Sequence, residues 1–223
     1  DVANRYGVDA FRYFLMAEMS LGQDACFTEE AFVRRYNADL ANDLGNMLSR
    51  VMKLVGERCG GAIPPVGVTG PDEEDLRRVV VAAADKLVDA IFGMRIDSGL
   101  AEVAAAVRAG NRYLEKRQPW ALAKQGQIGE LGTVLYHGAE TLRVVSGLLY
   151  PVMPSKMSEL RQALGCPGGE PDFGSLRAWG GLKPGAATGG MISLFPRIAP
   201  QSRAEAVPAT EGGAVTPKAA PAD

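Results

Sequence analysis

Phe27–Cys59, FTEEAFVRRYNADLANDLGNMLSRVMKLVGERC, is the stretch whose reading decides the fold. From Thr28 to about Cys59 its apolar residues Phe32, Tyr36, Leu40, Leu44, Met47, Leu48, Val51 and Val55 recur in steps of three and four, so they share one helix face, and that face is core. Asn42, Asn46, Arg50 and Lys53 follow the same step on nearly the opposite side. They form a stripe of hydrogen-bonding groups with no apolar neighbour to bury them. Thr28 suits the N-cap, and Glu29 and Glu30 fall in the first turn, where the helix dipole favours anions.

Upstream, Val8 to Met19 reads as a short amphipathic helix with Val8, Phe11 and Leu15 on one side and Asp9 spaced to pair with Arg12. Leu21 to Phe27 is a connector holding Gly22 and an exposed Asp24. Downstream, Gly60, Gly61, Pro64 and Pro65 end the long helix, and Gly70, Pro71 and Asp72 open another whose stripe is Leu76, Val79, Val80, Ala83, Leu87 and Ile91. A break at Asp97, Ser98 and Gly99 precedes a third helix with Leu100, Val103, Val107 and Leu114 inward. Pro119 must interrupt or end it, because proline lacks the amide donor and its ring clashes one turn back, so Trp120 sits at a fixed corner. A fourth helix, roughly Gln127 to Tyr150, repeats the pattern through Ile128, Leu131, Leu135, Leu142, Val145 and Leu149. Pro151 and Pro154 close it, and Ser155 to Leu164 is one more short helix. Gly165 to Gly190 is rich in glycine and proline, with Phe173, Leu176, Trp179 and Leu182 as anchors on the bundle surface. Ile192, Leu194, Phe195 and Ile198 give a last apolar grip, and residues 199–223, mostly small or charged with no aromatic, read as disordered. The sum is an all-α antiparallel bundle with strands at most incidental.

Composition removes several classes of function. The 223 residues are 47% hydrophobic, enough for one core with appendages. A net charge of -2 means that any nucleic-acid contact comes from a local patch. Cys26, Cys59 and Cys166 are odd in number and lack CxxC spacing, which excludes a disulfide framework or zinc knuckle and fits a reducing cytoplasm. No apolar run approaches a membrane span, and no leader is visible. The start at Asp1, without methionine and inside a helical pattern, reads as a piece of a longer protein.

Two motifs together, YNADLANDLGNMLSR (Tyr36 to Arg50) and NRYLEKRQPWALAK (Asn111 to Lys124), closely resemble the anticodon-binding region of methionyl-tRNA synthetases. DVANRYGVDAFRYF (Asp1 to Phe14) resembles the stretch after that family's second catalytic signature, and LFPRI (Leu194 to Ile198) the end of its helical domain. The resemblance implies a class I synthetase anticodon-binding bundle over residues 28–165. Around it lie a stem-contact segment over 1–27, following a catalytic domain outside this sequence, and a return segment over 166–198 packed on the bundle, with the tail over 199–223. It implies that the parent activates methionine with ATP and charges tRNA, and that ATP, Mg and in some members Zn belong to the catalytic half, leaving this fragment without catalytic residues, metal or cofactor. Lys156, Met157 and Ser158 imitate a catalytic signature, but Glu159 reverses the needed charge and the run reads as a helix start. His137 reads as a satisfied interior or boundary histidine, and the absence of a Glu-x-x-His pair disfavours a metal site.

The family's anticodon is CAU, and the resemblance places the readers of its first base at Asn46, Arg50 and Trp120, with Pro119 setting the corner. A splayed cytosine offers two acceptors and one donor, which an amide and a guanidinium one helical turn apart can satisfy from one face. Stacking on Trp120 would add about 1 to 3 kcal/mol regardless of base identity. Arg112, Lys116 and Lys124, flanking the corner, are candidates for tRNA backbone contacts, and Arg34, Arg35, Arg58 and Arg117 are weaker ones. Asn37 and Asn42 are left open between base reading and core-facing hydrogen bonding. The partners implied are the tRNA(Met) anticodon stem-loop and the parent's own catalytic domain. The alternatives are the anticodon region of the valyl, isoleucyl or cysteinyl enzyme, and a helical protein-interaction domain without RNA function.

Overall fold

Proline marks where helices begin. In a computed structural model, which describes residues 2–20, Gly22 and 27–199, Pro71, Pro119 and Pro154 each open a helix at a position where the missing N–H costs nothing. The described α-helices are α1 Val2–Tyr6, α2 Val8–Glu18, α3 Glu29–Arg35, α4 Asn46–Arg58, α5 Pro71–Phe92, α6 Ile96–Arg117, α7 Pro119–Gln125, α8 Ile128–Leu149, α9 Pro154–Ala163 and the single turn α10 Phe173–Leu176. The expectations for Leu21, Asp24 and Cys26 in the connector, and for the tail from residue 200 onward, lie outside the described residues.

The stretch read as one long helix is continuous, but its middle third is a π-helix, Tyr36–Gly45, between α3 and α4. Its buried residues are Tyr36, Leu40, Ala41, Leu44 and Gly45, spaced by four and five at the outset of each pair, which suits the wider i→i+5 turn. A pattern of steps of three and four cannot distinguish the two geometries. The expected cap is present, with the Ala31 N–H donating to Thr28 Oγ1 at 3.1 Å.

α5 and α6 form an antiparallel hairpin, α4 touches α6, and α8 packs against α4, α5, α6, α7 and α9. Every residue of α8 from Leu131 to Leu149 is buried, so this helix is the axis of the bundle and has no polar face. Its close approach to α4 needs Gly138, where a Cβ would lie 2.8 Å from Val51 Cγ2. Among the described residues the strand-like pairing is limited to one bridge, Ala62 with Ala187.

Some expected positions move. The break between α5 and α6 is Gly93–Arg95, and Gly99 instead lies inside α6 against Leu87 and Ala90. Val79, Ile91 and Ile128 are exposed, because each lies at the edge of a stripe whose centre is already covered. In α2 the buried side is Ala10, Tyr13 and Phe14, while Val8 faces out. Asp9 and Arg12 do not pair with each other. The Asp9 carboxylate accepts from the Lys156 backbone N–H at 2.7 Å, and Arg12 donates to the carbonyls of Pro151 and Val152 at 2.8 Å, so both clamp the α8–α9 corner.

The return segment lies across α8, as its anchors suggest. Glu140, fully buried, accepts on Oε1 from Arg143 and from the backbone N–H groups of Gly180 and Gly181, and on Oε2 from that of Leu182. Arg143 in turn donates to the carbonyls of Ser175 and Ala178. Leu176 seats over Gly147, where a Cβ would come within 2.4 Å of it, and Trp179 lies 5.7 Å from the buried His137 ring. His137 Nδ1 contacts the Thr133 carbonyl oxygen at 2.9 Å, consistent with a satisfied interior histidine.

Truncating a buried charge strands its partners. Glu140→Ala is expected to lower stability by about 3–5 kcal/mol, read from the urea midpoint, because Arg143 and three amides lose their acceptor. A loss below about 1 kcal/mol would show that the segment is held by apolar burial alone.

Candidate nucleic-acid interface

The polar stripe on the long helix stays in water. Asn42, Asn46, Arg50 and Lys53 are all exposed, while Met47, Leu48, Val51 and Val55 beneath them are fully covered. The backbone of α4 is therefore fixed by its inner face, and its outer face is free to meet a ligand.

The second half of the site is the α6–α7 corner. α6 ends at Arg117, Gln118 takes left-handed backbone (φ 45, ψ 60), and its N–H donates to the Leu114 carbonyl at 2.9 Å as a helix terminator. Pro119 then starts α7 with its ring buried, and Trp120 projects with 41% of its surface exposed. A corner made by a left-handed residue followed by proline has little backbone freedom, so the indole direction is set locally.

α7 packs on α4, and an ion pair joins the two halves: Arg50 Nη1 lies 3.6 Å from Glu115 Oε1 in the last turn of α6, five residues before Trp120. Asn111 reinforces the link by donating to the Asp43 carbonyl at 3.0 Å, three residues before Asn46. The α4 face carrying Asn46 and Arg50 is thus joined both to the end of α6 and to α7, the helix that Pro119 and Trp120 begin. The Arg50–Glu115 pair is exposed, so it is worth only about 0.2–1 kcal/mol, less than the roughly 1.5–3 kcal/mol of a hydrogen bond to a charged group. Arg50 is positioned by Glu115 without being locked to it.

The base of the corner is a buried polar network. Glu73 Oε1 accepts from Tyr113 Oη at 2.7 Å and faces Arg117 at 3.4 Å, while Oε2 accepts from the Gly70 N–H at 2.7 Å. Burial by itself would raise the Glu73 pKa, but the hydrogen bonds from Tyr113 and Gly70 and the Arg117 charge outweigh it and hold the carboxyl below its ordinary 4.5. The Tyr113 phenol is pushed up by burial and by Glu73.

The candidate backbone contacts differ among themselves. Lys116 Nζ sits on Asp72 Oδ1 at 2.7 Å, whereas Arg112 and Lys124 are exposed and form no ion pair with the described residues. Arg35 is tied to Glu18 and Asp39, and Arg117 to the Glu73 network, so both serve the fold. Asn37 does too: its amide donates to the Ile198 carbonyl and accepts the Ile198 N–H, each at 2.9 Å, which pins the last residue of LFPRI beside the π-helix. Asn42 and Asn46 with Ser49 form one wall of a cleft of about 340 Å³ whose other wall is Ser193–Arg197. The periodicity could not show that wall, because it comes from a segment about 150 residues away with no regular pattern of its own. Among the described residues no group of three His, Cys, Asp or Glu side chains converges as a metal site, and no helix is long and apolar enough to cross a membrane.

Residues 1–52, from α1 into the first half of α4, match the family model described as tRNA synthetases class I (M). Residues 63–212 match the model for the anticodon binding domain of methionyl tRNA ligase, and the chain belongs to that family. It is 35% identical over 222 residues to a methionine–tRNA ligase of Halalkalibacterium halodurans, covering 99% of this chain and 34% of that protein. It is 39% identical over 196 residues to one of Deinococcus radiodurans, covering 87% and 28%. The apo methionyl-tRNA synthetase of Mycobacterium tuberculosis superposes with a TM-score of 0.84 at 29% identity, covering 89% of this chain and 40% of that one. The chain spans about a third of the length of the curated relatives it matches.

A carboxyl whose folded pKa is depressed contributes stability that is present above its unfolded pKa and lost as pH falls through the folded value. The stability gap between the wild-type chain and Glu73→Gln is therefore expected to be full above about pH 4.5 and to narrow as pH falls below it, as followed by urea titration at each pH. A gap that does not change with pH would mean that the depressed carboxyl is not the source of the difference.

Proposed function

We propose that the chain reads the CAU anticodon of tRNA(Met) within a methionine–tRNA ligase whose catalytic portion activates methionine with ATP and charges the tRNA. The observation that supports this reading is the Arg50–Glu115 pair, which ties the polar face of α4 to the last turn of α6, just ahead of the Trp120 corner. The first base stacks on the exposed indole. The Asn46 amide and the Arg50 guanidinium meet its pairing edge, and Arg50 leaves Glu115 for the base because that exchange is favourable by the magnitudes above. Uracil presents a donor where cytosine presents an acceptor, so the same pair faces an unmatched group. Pro119 keeps the stacking plane in place. Arg112 and Lys124, which form no ion pair with the described residues, take phosphates directly, and Lys116 does so by exchanging Asp72. Residues 1–27 serve as the contact to the inner side of the tRNA stem. A protein-docking face would not need an unpaired aromatic platform beside two base-edge readers.

Fluorescence anisotropy with anticodon stem-loops checks the reading. The CAU loop is expected to bind tightest. Trp120→Ala should weaken it about 5- to 150-fold for the lost stacking, and Asn46→Ala should compress the preference for CAU over UAU. Affinity for all loops should fall as salt rises, since phosphates are neutralised. Equal affinities for every loop and both variants would end the reading.

A further inference from the structure

Glycine inside a helix weakens it relative to alanine, so a helical glycine calls for a reason. Gly99 and Gly110 in α6, and Gly138 and Gly147 in α8, have one in the fold, because a Cβ at each would come within 2.8 Å of a neighbouring side chain. Gly56, in the last turn of α4, has none. It is exposed, its backbone is helical, and nothing lies within 4 Å of where its Cβ would be. A helix backbone bared on an open face lets another chain approach closely.

The bare turn continues the polar stripe of the candidate interface. Ser49, Lys53 and Gly56 follow one another in steps of four and three, so they form one ridge, about 10 Å long at 1.5 Å per residue. Ser49 stands in the wall of the cleft with Asn42 and Asn46, so the ridge leads on from that cleft toward the end of α4. Lys53 is exposed, and its ammonium forms no ion pair or hydrogen bond with the described residues, although Glu57, one turn on, is spaced to pair with it. The helix beneath is fixed, since Met47, Leu48, Val51, Met52 and Val55 are buried, so the ammonium is carried on a rigid support and free to take an anion from outside the chain. The Glu57 carboxylate repels phosphate and turns an approaching strand toward the Gly56 side of the ridge.

We propose that the RNA strand runs on from the base met by Asn46 and Arg50 along this ridge, with its sugar–phosphate backbone lying against Gly56 and one phosphate neutralised by Lys53. The proposal rests on the reading of this chain as the anticodon-binding part of a methionine–tRNA ligase, and it adds contacts that hold without discriminating. Phosphate contacts fix the register of a strand and carry no sequence information. Base readers and a stacking platform act on a nucleotide that is already splayed out, and a backbone held beside them keeps it so.

Salt titration of stem-loop binding to the 223-residue chain tests this, with CAU and UAU loops followed by fluorescence anisotropy. Lys53→Gln should weaken both loops in parallel, keep the preference for CAU, and flatten the plot of log affinity against log salt by about 0.7, the share of one phosphate on a single strand. Lys53→Arg should restore the wild-type slope, and Lys183→Gln, at an exposed cation of the return segment, should leave it as it was. Gly56→Ala should raise the urea midpoint, because alanine strengthens the helix, and yet lower affinity for both loops, a combination that a purely structural glycine would not give. An unchanged slope in Lys53→Gln, an equal change in Lys183→Gln, or a lost preference for CAU in Lys53→Gln would overturn the phosphate contact. Unchanged affinity in Gly56→Ala would overturn the close approach. If the wild-type chain shows no preference for CAU, the functional reading has failed and takes this path with it. If that preference is present and neither variant behaves as stated, only the path along α4 has failed.

Discussion

A carboxylate with no access to water holds the two unlike parts of this molecule together. Glu140 sits at the middle of α8, and without Arg143 and the amides of Gly180, Gly181 and Leu182 its charge would be prohibitively costly in that position. With them, an irregular segment rich in glycine and proline becomes a fixed outer layer. That layer lets α8 be buried on all sides, and a helix buried on all sides can serve as the common axis for α4, α6 and α7. Glycine at Gly180 and Gly181 matters because the backbone must come right up to the carboxylate. At Gly181 a Cβ would lie 2.6 Å from the Arg143 guanidinium.

The candidate interface follows from that axis. α4 turns its apolar face to α8 and its polar face to solvent, and the α6–α7 corner, held by the Glu73–Tyr113–Arg117 network, places Trp120 beside it. Strong, buried interactions position the site, and weak, exposed ones occupy it before a ligand arrives. This division suits recognition of an unstacked base. The buried network supplies rigidity that need not be created on binding, while the Arg50–Glu115 and Lys116–Asp72 pairs, at or near the surface, are cheap to exchange.

Periodicity reveals which face of a helix is covered only when the covering is one-sided. It served for α4 and α6, where the inward residues named from spacing are all buried. It was least informative for α8, where Thr133, Glu140, Thr141, Arg143 and Ser146 are buried along with the leucines. It also misjudged α2, whose Asp9 and Arg12 look like a solvent pair by spacing and in fact bond to backbone groups about 140 residues away. A one-dimensional pattern has no means of representing an acceptor supplied from so far along the chain.

Apolar spacing, prolines at helix starts and a threonine cap follow from local sterics and hydrogen bonding, so the all-helical class, most helix limits and the outward stripe of Asn42, Asn46, Arg50 and Lys53 were determined by the sequence alone. The two motifs were legible there as well, as separate segments. Tertiary structure decided that Arg50 of the first motif pairs with Glu115 of the second, that Asn37 serves as a clasp for Ile198, that part of the long helix widens into a π-helix, and that residues 193–197 form the second wall of the cleft. Each of these depends on where a distant partner comes to rest, and that is set by how the whole set of apolar faces packs together.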